Sequence, residues 1–196
     1  MYVNEIQWEL AQHAARYQTD IGVLTQAEKI KHFALVVGRI SSDYQLEELL
    51  TFSRHGFDLF YNIMMFANYM NMDMLARNRS SMDYSGCETM EDYVEAYLPE
   101  VNLMEIRIDL IIQMGTFCKI AEATDHMEPM NFRAEVTKVV DALYHIAWRM
   151  IASEGDGQEQ NISKNFEAYM VRKEKKMHQC SYKGHFSLDA ACYMPL

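Results

Sequence analysis

The chain has 196 residues, of which 49% are hydrophobic and 23% charged, with only 8 Gly and 3 Pro. This composition excludes collagen-like and disordered proteins, and its few turn-forming residues favour an all-α fold over β-sandwiches and barrels. The formal net charge of −10 opposes binding to phosphate backbones and to anionic membranes, so we expect neither nucleic acid nor a membrane as a partner.

The first half of the chain predicts three helices. Hydrophobic spacing indicates a helix over 4–18, and Thr25 with Glu28 has the spacing of a capping box that begins a second. A third, over 46–72, is apolar on nearly every side, so we expect it to be central and the chain to form homo-oligomers. Its most apolar stretch carries several Asp and Asn residues and is too short to span a bilayer.

The second half repeats this helical pattern. The polar, turn-rich stretch 78–86 predicts a linker, after which a short helix reaches Pro99 and two long helices follow. The second of these long helices has apolar residues at helical spacing from Phe132 to Ile151. A last helix, over 159–176, precedes a tail to which no structure is assigned. The predicted organisation is a first helical repeat over 1–77, a linker with a short helix over 78–99, a second helical repeat over 100–178, and a tail over 179–196.

Two similar segments support this division into repeats. They are Asp58-Leu-Phe-Tyr-Asn-Ile63 and, 83 residues later, Asp141-Ala-Leu-Tyr-His-Ile146, in which Asp, Tyr and Ile recur at the same offsets. A glycine, Gly38 or Gly115, lies in the helix before each segment.

The cysteines and the first residues of the chain bear on the cellular location of the protein. None of the four cysteines forms a Cys-x-x-Cys motif, and the first residues lack the basic and apolar regions of a signal peptide. These features predict free thiols in the cytoplasm.

Two aspartates stand out because an ionised carboxylate in an apolar helix is costly unless it is paired. Asp141 has Lys138 one turn before it and His145 one turn after it on the same face. Such a line of cation, carboxylate and imidazole suits a ligand with phosphate and sugar or base character. Asp58 has Asn62 at the same spacing, and a structural ion pair or a polar contact between helices is the alternative interpretation.

Two short segments carry a resemblance to a known family: Lys138-Val-Val-Asp141-Ala-Leu-Tyr-His145-Ile and Ile162-Ser-Lys164-Asn165-Phe166. They resemble the second half of the all-α nucleoside triphosphate pyrophosphatases, the MazG-like family. A fainter copy in the first half consists of Leu35-Val-Val-Gly38 and His55-Gly-Phe-Asp58-Leu-Phe-Tyr. The resemblance implies an all-α bundle of two MazG-like repeats around a nucleotide pocket.

The chain departs from this family at the metal site. The family holds Mg²⁺ with a Glu-Glu-x-x-Glu helix and a Glu-x-x-Asp helix, because hard cations prefer several converging carboxylates. Lys138 and His55 stand where the Glu of Glu-x-x-Asp would be, and Gln113 with its neighbours replaces the Glu-Glu-x-x-Glu helix. A fixed cation can meet phosphate directly but supports no metal-assisted hydrolysis. We therefore expect a non-catalytic protein that sequesters a nucleotide or inhibits a nucleotide enzyme, without a cofactor.

The expected ligand-binding residues form two half-sites. They are Lys138, Asp141, His145, Asn165 and Gln113 in the second half, and His55, Asp58 and Asn62 in the first. Lys138 would contact phosphate, His145 and Asn165 would hydrogen-bond sugar or base, and Asp141 would orient Lys138 or accept from a hydroxyl.

Two alternatives stay open. The first is an active Mg²⁺-dependent nucleoside triphosphate pyrophosphohydrolase whose ligands lie elsewhere, because Glu91, Asp92 and Glu95 have the spacing of three carboxylates on one side of a helix. A solvated face is the other interpretation of these three residues. The second alternative is an acidic helical module that binds a basic protein partner.

Overall fold

The computed structural model describes residues 1–17, 21, 23–46, 53–79, 86–153 and 161–182. These residues form helices, together with one isolated bridge between Tyr2 and Thr89, and the all-α fold is confirmed. The helices are α1 (Val3–Tyr17), α2 (Gln26–Leu46), α3 (Ser53–Tyr69), α4 (Met74–Arg79), α5 (Met90–Tyr97), α6 (Leu103–Asp125), α7 (Phe132–Ala152) and α8 (Ile162–Tyr182), with a 3₁₀ turn over Leu98–Glu100.

Helices α3 and α7 form the centre of the bundle. They pack against each other, α2 packs on α3, and α6 packs on α7. Both central helices are apolar around most of their circumference, and the rings of Phe60 and Trp148 meet in the core at 4.9 Å. Tyr93 of α5 stacks on Trp148 at 4.8 Å. The predicted central position of the third helix is therefore confirmed.

A glycine allows the two central helices to approach closely. A Cβ atom at Gly56 of α3 would lie 2.9 Å from Cγ1 and 3.0 Å from the backbone nitrogen of Ile151 in α7. The first distance is shorter than real Cβ contacts show, and the second is tighter than nearly all of them. The backbone of α3 therefore lies against α7 at a distance that only glycine permits.

Local signals determine where several helices begin. The Thr25 hydroxyl accepts a hydrogen bond from the Glu28 amide at 3.3 Å, and the Glu28 carboxylate accepts from the Thr25 amide at 2.8 Å, so the predicted capping box is confirmed. A second capping box, between Thr89 and Asp92, begins α5. Pro99 lies in the 3₁₀ turn that follows.

The structure differs from the sequence prediction at α4 and α8. Helix α4 extends into the stretch predicted as a linker, and it has too few residues to show a hydrophobic period. The Asp73 carboxylate caps this helix, because it accepts a hydrogen bond from the Ala76 amide at 2.9 Å. Helix α8 continues to Tyr182, whereas the prediction ended at 176. Residues 80–85 of the predicted linker and 183–196 of the tail lie outside the described residues.

The apolar surface of α3 is covered within the chain. Its sides meet α1, α2 and α7, so the apolar circumference that suggested oligomers is accounted for by neighbouring helices. None of the helices in the described part of the chain has the length and apolar character needed to cross a membrane.

Candidate functional site

An open pocket of about 370 Å³ lies between the beginning of α4 and the first turns of α7. Its lining residues are Asn71, Met72, Asp73, Ala76, Arg77, Arg133 and Thr137. Asn71 has a positive φ of 51°, and this left-handed residue turns the chain from the end of α3 towards α4. The pocket thus combines two guanidinium groups with a hydroxyl and an amide, in a chain whose net charge is −10.

One of the two arginines is held by a carboxylate. Arg77 donates from Nε to Oδ1 of Asp141 at 2.8 Å and from a terminal nitrogen to Oδ2 at 2.5 Å. This fork-to-fork geometry fixes the plane of the guanidinium group. The hydrogen bond to Asp141 raises the pKa of Arg77, so the side chain remains charged. Asp141 therefore positions a cation at the pocket, and that cation is Arg77, whereas Lys138 was the expected one.

The second arginine has no such partner. Arg133 is exposed and makes no ion pair with any residue in the described part of the chain. Thr137 and Asp141 follow it at intervals of four residues, so the three side chains lie along one face of α7. Lys138 is 71% exposed and pairs with Glu135 at 2.7 Å. Arg133 is therefore the cation of this pocket that is available to an anionic ligand.

The other residues predicted for this half-site have separate surroundings. His145 hydrogen-bonds the Tyr97 hydroxyl through Nδ1, which joins α7 to α5. Asn165 is exposed in the first turn of α8, and Gln113 is half-buried on α6. None of these three residues lines the pocket. Asp141 is connected to the pocket through its ion pair with Arg77.

The residues predicted for the first half-site make contacts inside the fold. His55 is buried, with its ring edge towards Tyr44 at 6.3 Å between centroids. The Asn62 amide donates to the backbone carbonyl of Asp58, one turn earlier in the same helix, at 2.7 Å. The Asp58 carboxylate accepts from the Lys173 ammonium at 2.8 Å.

Asp58 belongs to an ion pair that joins α3 to α8. Both side chains of the pair are 18% exposed, and the Tyr169 hydroxyl also donates to Asp58, at 2.5 Å. Burial raises the pKa of Asp58, but the charge of Lys173 and the hydrogen bonds from Lys173 and Tyr169 together outweigh burial, so the pKa lies below its ordinary value. This geometry favours the structural interpretation of Asp58.

The ion pair continues into a buried polar cluster, which we define as His13, Asp58, Tyr61, Tyr169 and Lys173. The Lys173 ammonium lies 4.8 Å from the centre of the Tyr61 ring and 5.6 Å from that of Tyr169. The Tyr61 hydroxyl lies 3.1 Å from Nδ1 of His13. The cluster therefore links α1, α3 and α8 through polar groups.

Sequence reasoning missed Arg77, Arg133 and Lys173. Lys173 belongs to the basic run 172–176, whose composition alone is typical of a solvated helix end. A signal was present nevertheless, because Ile162, Phe166 and Tyr169 form an apolar stripe that Lys173 continues one turn later. Arg133 was likewise recognisable by its spacing from Asp141.

The alternative acidic cluster has structural roles. Glu91 accepts from the backbone amide and the hydroxyl of Ser163 at 2.8 and 2.7 Å, at the beginning of α8. Asp92 caps α5, and Glu95 is exposed. Within the described ranges, no three His, Cys, Asp or Glu side chains converge in a group suited to a metal ion. Glu91, Asp92 and Glu95 do not fit the Mg²⁺ site of a nucleotide pyrophosphohydrolase, because Glu91 is engaged by Ser163 and Asp92 by the backbone amide of Thr89.

Comparison of the chain with protein-family models, with curated proteins and with solved structures finds no match.

Proposed function

We propose that the chain is a bundle of two MazG-like helical repeats, α1–α4 and α5–α8. This division assigns to the second repeat the short helix α5, which the sequence prediction placed in the linker. The contacts between helices support this division. In each half the second helix packs on the third, the first helix packs on the third, and the first helix also contacts the fourth. Across the halves, the glycine-bearing helices α2 and α6 pack together, as do the aspartate-bearing helices α3 and α7. This arrangement is what an internal two-fold axis would produce.

A pair of hydrogen bonds gives the same support at the level of residues. His13 and Tyr61 join α1 to α3 and are 48 residues apart. Tyr97 and His145 join α5 to α7 and are also 48 residues apart. By the 83-residue offset between the two similar segments, the second bond lies one residue beyond the place of the first, with the histidine and the tyrosine exchanged.

We further propose that this chain binds a nucleotide or a nucleotide-derived small molecule in the cytoplasm. The observation that carries the proposal is the convergence of Arg77 and Arg133 on one open pocket of a strongly acidic chain. Guanidinium groups recognise phosphate through paired hydrogen bonds. Thr137 and Asn71 add a hydroxyl and an amide that suit a sugar or a base. The volume of about 370 Å³ lies at the small end of ligand pockets.

We expect the protein to hold its ligand without hydrolysing it. Hydrolysis of a polyphosphate in the resembling family needs converging carboxylates to hold Mg²⁺. At this pocket Asp141 is engaged by Arg77, and Asp73 caps α4. A pocket that offers fixed cations, and whose nearby carboxylates are already engaged, favours sequestration of a nucleotide or inhibition of a nucleotide enzyme.

Thermal-shift measurements against a panel of ribo- and deoxyribonucleotides test the proposal. We expect at least one nucleotide to raise the melting temperature in the presence of EDTA, because a ligand at a hundredfold its Kd stabilises a protein by about 2.7 kcal/mol. The bound nucleotide should be recovered intact by chromatography. Release of pyrophosphate that depends on Mg²⁺ would overturn the non-catalytic proposal, and no shift with any nucleotide would overturn nucleotide binding.

A charge-reversal variant locates the ligand. Arg133→Glu should abolish the thermal shift while leaving the melting temperature of the free protein nearly unchanged, because Arg133 makes no ion pair within the described residues. Lys175→Glu is the matched control, since Lys175 is exposed on α8 and does not line the pocket. Loss of binding in both variants would point to a general charge effect instead of this pocket.

A further inference from the structure

Helix α6 is apolar on two faces. Its inner face, which includes Ile106, Leu110, Phe117 and Ile120, is at most 2% exposed and packs into the bundle. Its outer face carries Met104, Ile108, Ile111 and Ile112, which are 66%, 48%, 55% and 54% exposed. Isolated exposed apolar side chains are ordinary, but four on one helix form a contiguous patch of the kind that marks an interaction surface.

The exposed residues follow a heptad pattern. We call Met104, Ile108, Ile111, Gly115 and Cys118 the outer seam of α6; all are exposed, and they recur at intervals of four, three, four and three residues. Such spacing keeps one seam of a helix facing a partner helix over its length. The seam rises by roughly 21 Å along the helix axis, at about 1.5 Å per residue.

Gly115 is an open position on the outer seam. A Cβ atom built there would meet nothing within 4 Å. Glycine inside a helix costs about 1 kcal/mol relative to alanine. An open glycine in an apolar seam is explained by a second helix, because it forms a hole into which a large side chain of that helix fits.

We propose that the outer seam binds the same seam of a second copy of this chain, as an antiparallel helix pair about a two-fold axis. In this register Ile111 of each copy faces Gly115 of the other, and Ile108 faces Cys118. The large side chains of one seam therefore fill the small positions of the other. A two-fold interface requires such self-complementarity.

Charges beside the seam select the antiparallel orientation. Glu105 and Lys119 flank the seam on one side, fourteen residues apart, and both are exposed. Glu105 is 64% exposed and lies 3.6 Å from Arg149, so its carboxylate can accept another partner. The antiparallel register places Glu105 of each copy opposite Lys119 of the other, with Ile112 against Ile112 between them. A parallel pair would leave the two charges roughly 21 Å apart along the axis.

The oligomeric state of the full chain tests the proposal. Sedimentation equilibrium at tens of micromolar should give twice the chain mass of 22.9 kDa. Ile111→Glu should give a monomer, because it places a carboxylate in the seam of each copy. Val171→Glu, at a residue of α8 that is 66% exposed, should remain a dimer. A monomeric wild-type protein, or a dimeric Ile111→Glu variant that is folded by circular dichroism, would overturn the proposal.

Disulfide trapping tests the orientation. In a background with Cys180→Ser and Cys192→Ser, Ile108→Cys should form a covalent dimer with the natural Cys118 on mild oxidation with diamide. The same background with isoleucine at 108 should stay uncrosslinked, because the antiparallel register separates the two copies of Cys118 along the axis. Efficient Cys118-to-Cys118 crosslinking in that control would indicate a parallel pair and overturn the proposed geometry.

Discussion

The hydroxyl of Tyr61 lies 3.1 Å from Nδ1 of His13, and this hydrogen bond joins α1 to α3 inside the core. Tyr61 is 1% exposed and His13 is 8% exposed. Bulk water therefore cannot replace the hydrogen bond that either group loses when its partner is removed. Tyr97 and His145 form the corresponding bond between α5 and α7. These two contacts join corresponding pairs of helices in the proposed two-repeat arrangement, one residue apart in register.

Removing the Tyr61 hydroxyl tests the energetic weight of this bond. Tyr61→Phe leaves Nδ1 of His13 without this partner, and we expect the free energy of unfolding to fall by about 1–3 kcal/mol. Urea denaturation measures the loss. Tyr2→Phe, at a tyrosine that is 49% exposed, should leave the free energy of unfolding unchanged. Equal stabilities of Tyr61→Phe and the wild type would show that the bond contributes nothing.

The protonation of His13 should make stability depend on pH. Burial lowers the pKa of His13 below its ordinary 6.5; the charge of Glu174 opposes this effect, while Lys173 and Arg16 add to it. The unfolded chain therefore takes up a proton near pH 6.5 that the folded chain binds only at lower pH. The neutral-histidine contribution is fully present above pH 6.5 and is lost as the pH falls below that value.

Unfolding experiments at about pH 7.5 and about pH 5.5 isolate this effect, because ordinary carboxylates remain ionised at both values. The wild type should lose more stability between these two pH values than His13→Gln does. The comparison removes the contribution of the other histidines, which both proteins share. A larger pH dependence in His13→Gln would contradict the assigned sign.

The ion pair between Asp58 and Lys173 should hold α8 against α3. Lys173→Met leaves a carboxylate that is mostly buried without its cation, and we expect a loss of about 3 kcal/mol in the free energy of unfolding. Lys175→Met, at an exposed position two residues away, should cost little. Urea denaturation measures both variants.

A double variant separates the pair from its members. Asp58→Asn with Lys173→Met removes both charges, so it should be more stable than Lys173→Met alone. If the two substitutions are additive instead, Asp58 and Lys173 do not interact energetically. Because the pKa of Asp58 is lowered, the contribution of the pair should be present at neutral pH and lost as the pH falls below about 4.

A methyl group at Gly56 should disrupt the contact between the central helices. Gly56→Ala places a Cβ atom 2.9 Å from a side-chain carbon of Ile151, next to the backbone of α7. We expect a loss of about 1–3 kcal/mol from overpacking, measured as a lower melting temperature. Gly86→Ala is the control: its methyl group meets nothing within 4 Å, so the melting temperature should stay nearly unchanged. A stabilised Gly56→Ala variant would contradict the close approach.

Much of the fold was predictable because helices depend on local spacing. The capping box of Thr25 and Glu28 and the apolar period from Phe132 to Ile151 identified α2 and α7 correctly, since each signal acts within a few turns. Helix α4 escaped prediction because six residues are too few to display a period. The end of α8 was placed too early because its last turns lack an apolar stripe.

The candidate site was less predictable than the fold. The sequence located Asp141 and Asp58 as unusual carboxylates, but it could not name their partners. Arg77 comes to Asp141 from 64 residues away, and Lys173 comes to Asp58 from 115 residues away. Both basic residues stand in polar stretches that, taken alone, are typical of a solvated surface.

By itself, the sequence determined the helical class, the central position of α3 and the positions where a buried carboxylate needed a partner. These properties follow from hydrophobic spacing and from the cost of burying charge, which act along a single helix. Only the tertiary structure decided that Arg77 and Lys173 are those partners, that Arg133 lines a pocket, and that α6 has an exposed apolar seam. These properties depend on which faces of distant helices meet, and helix packing sets that choice.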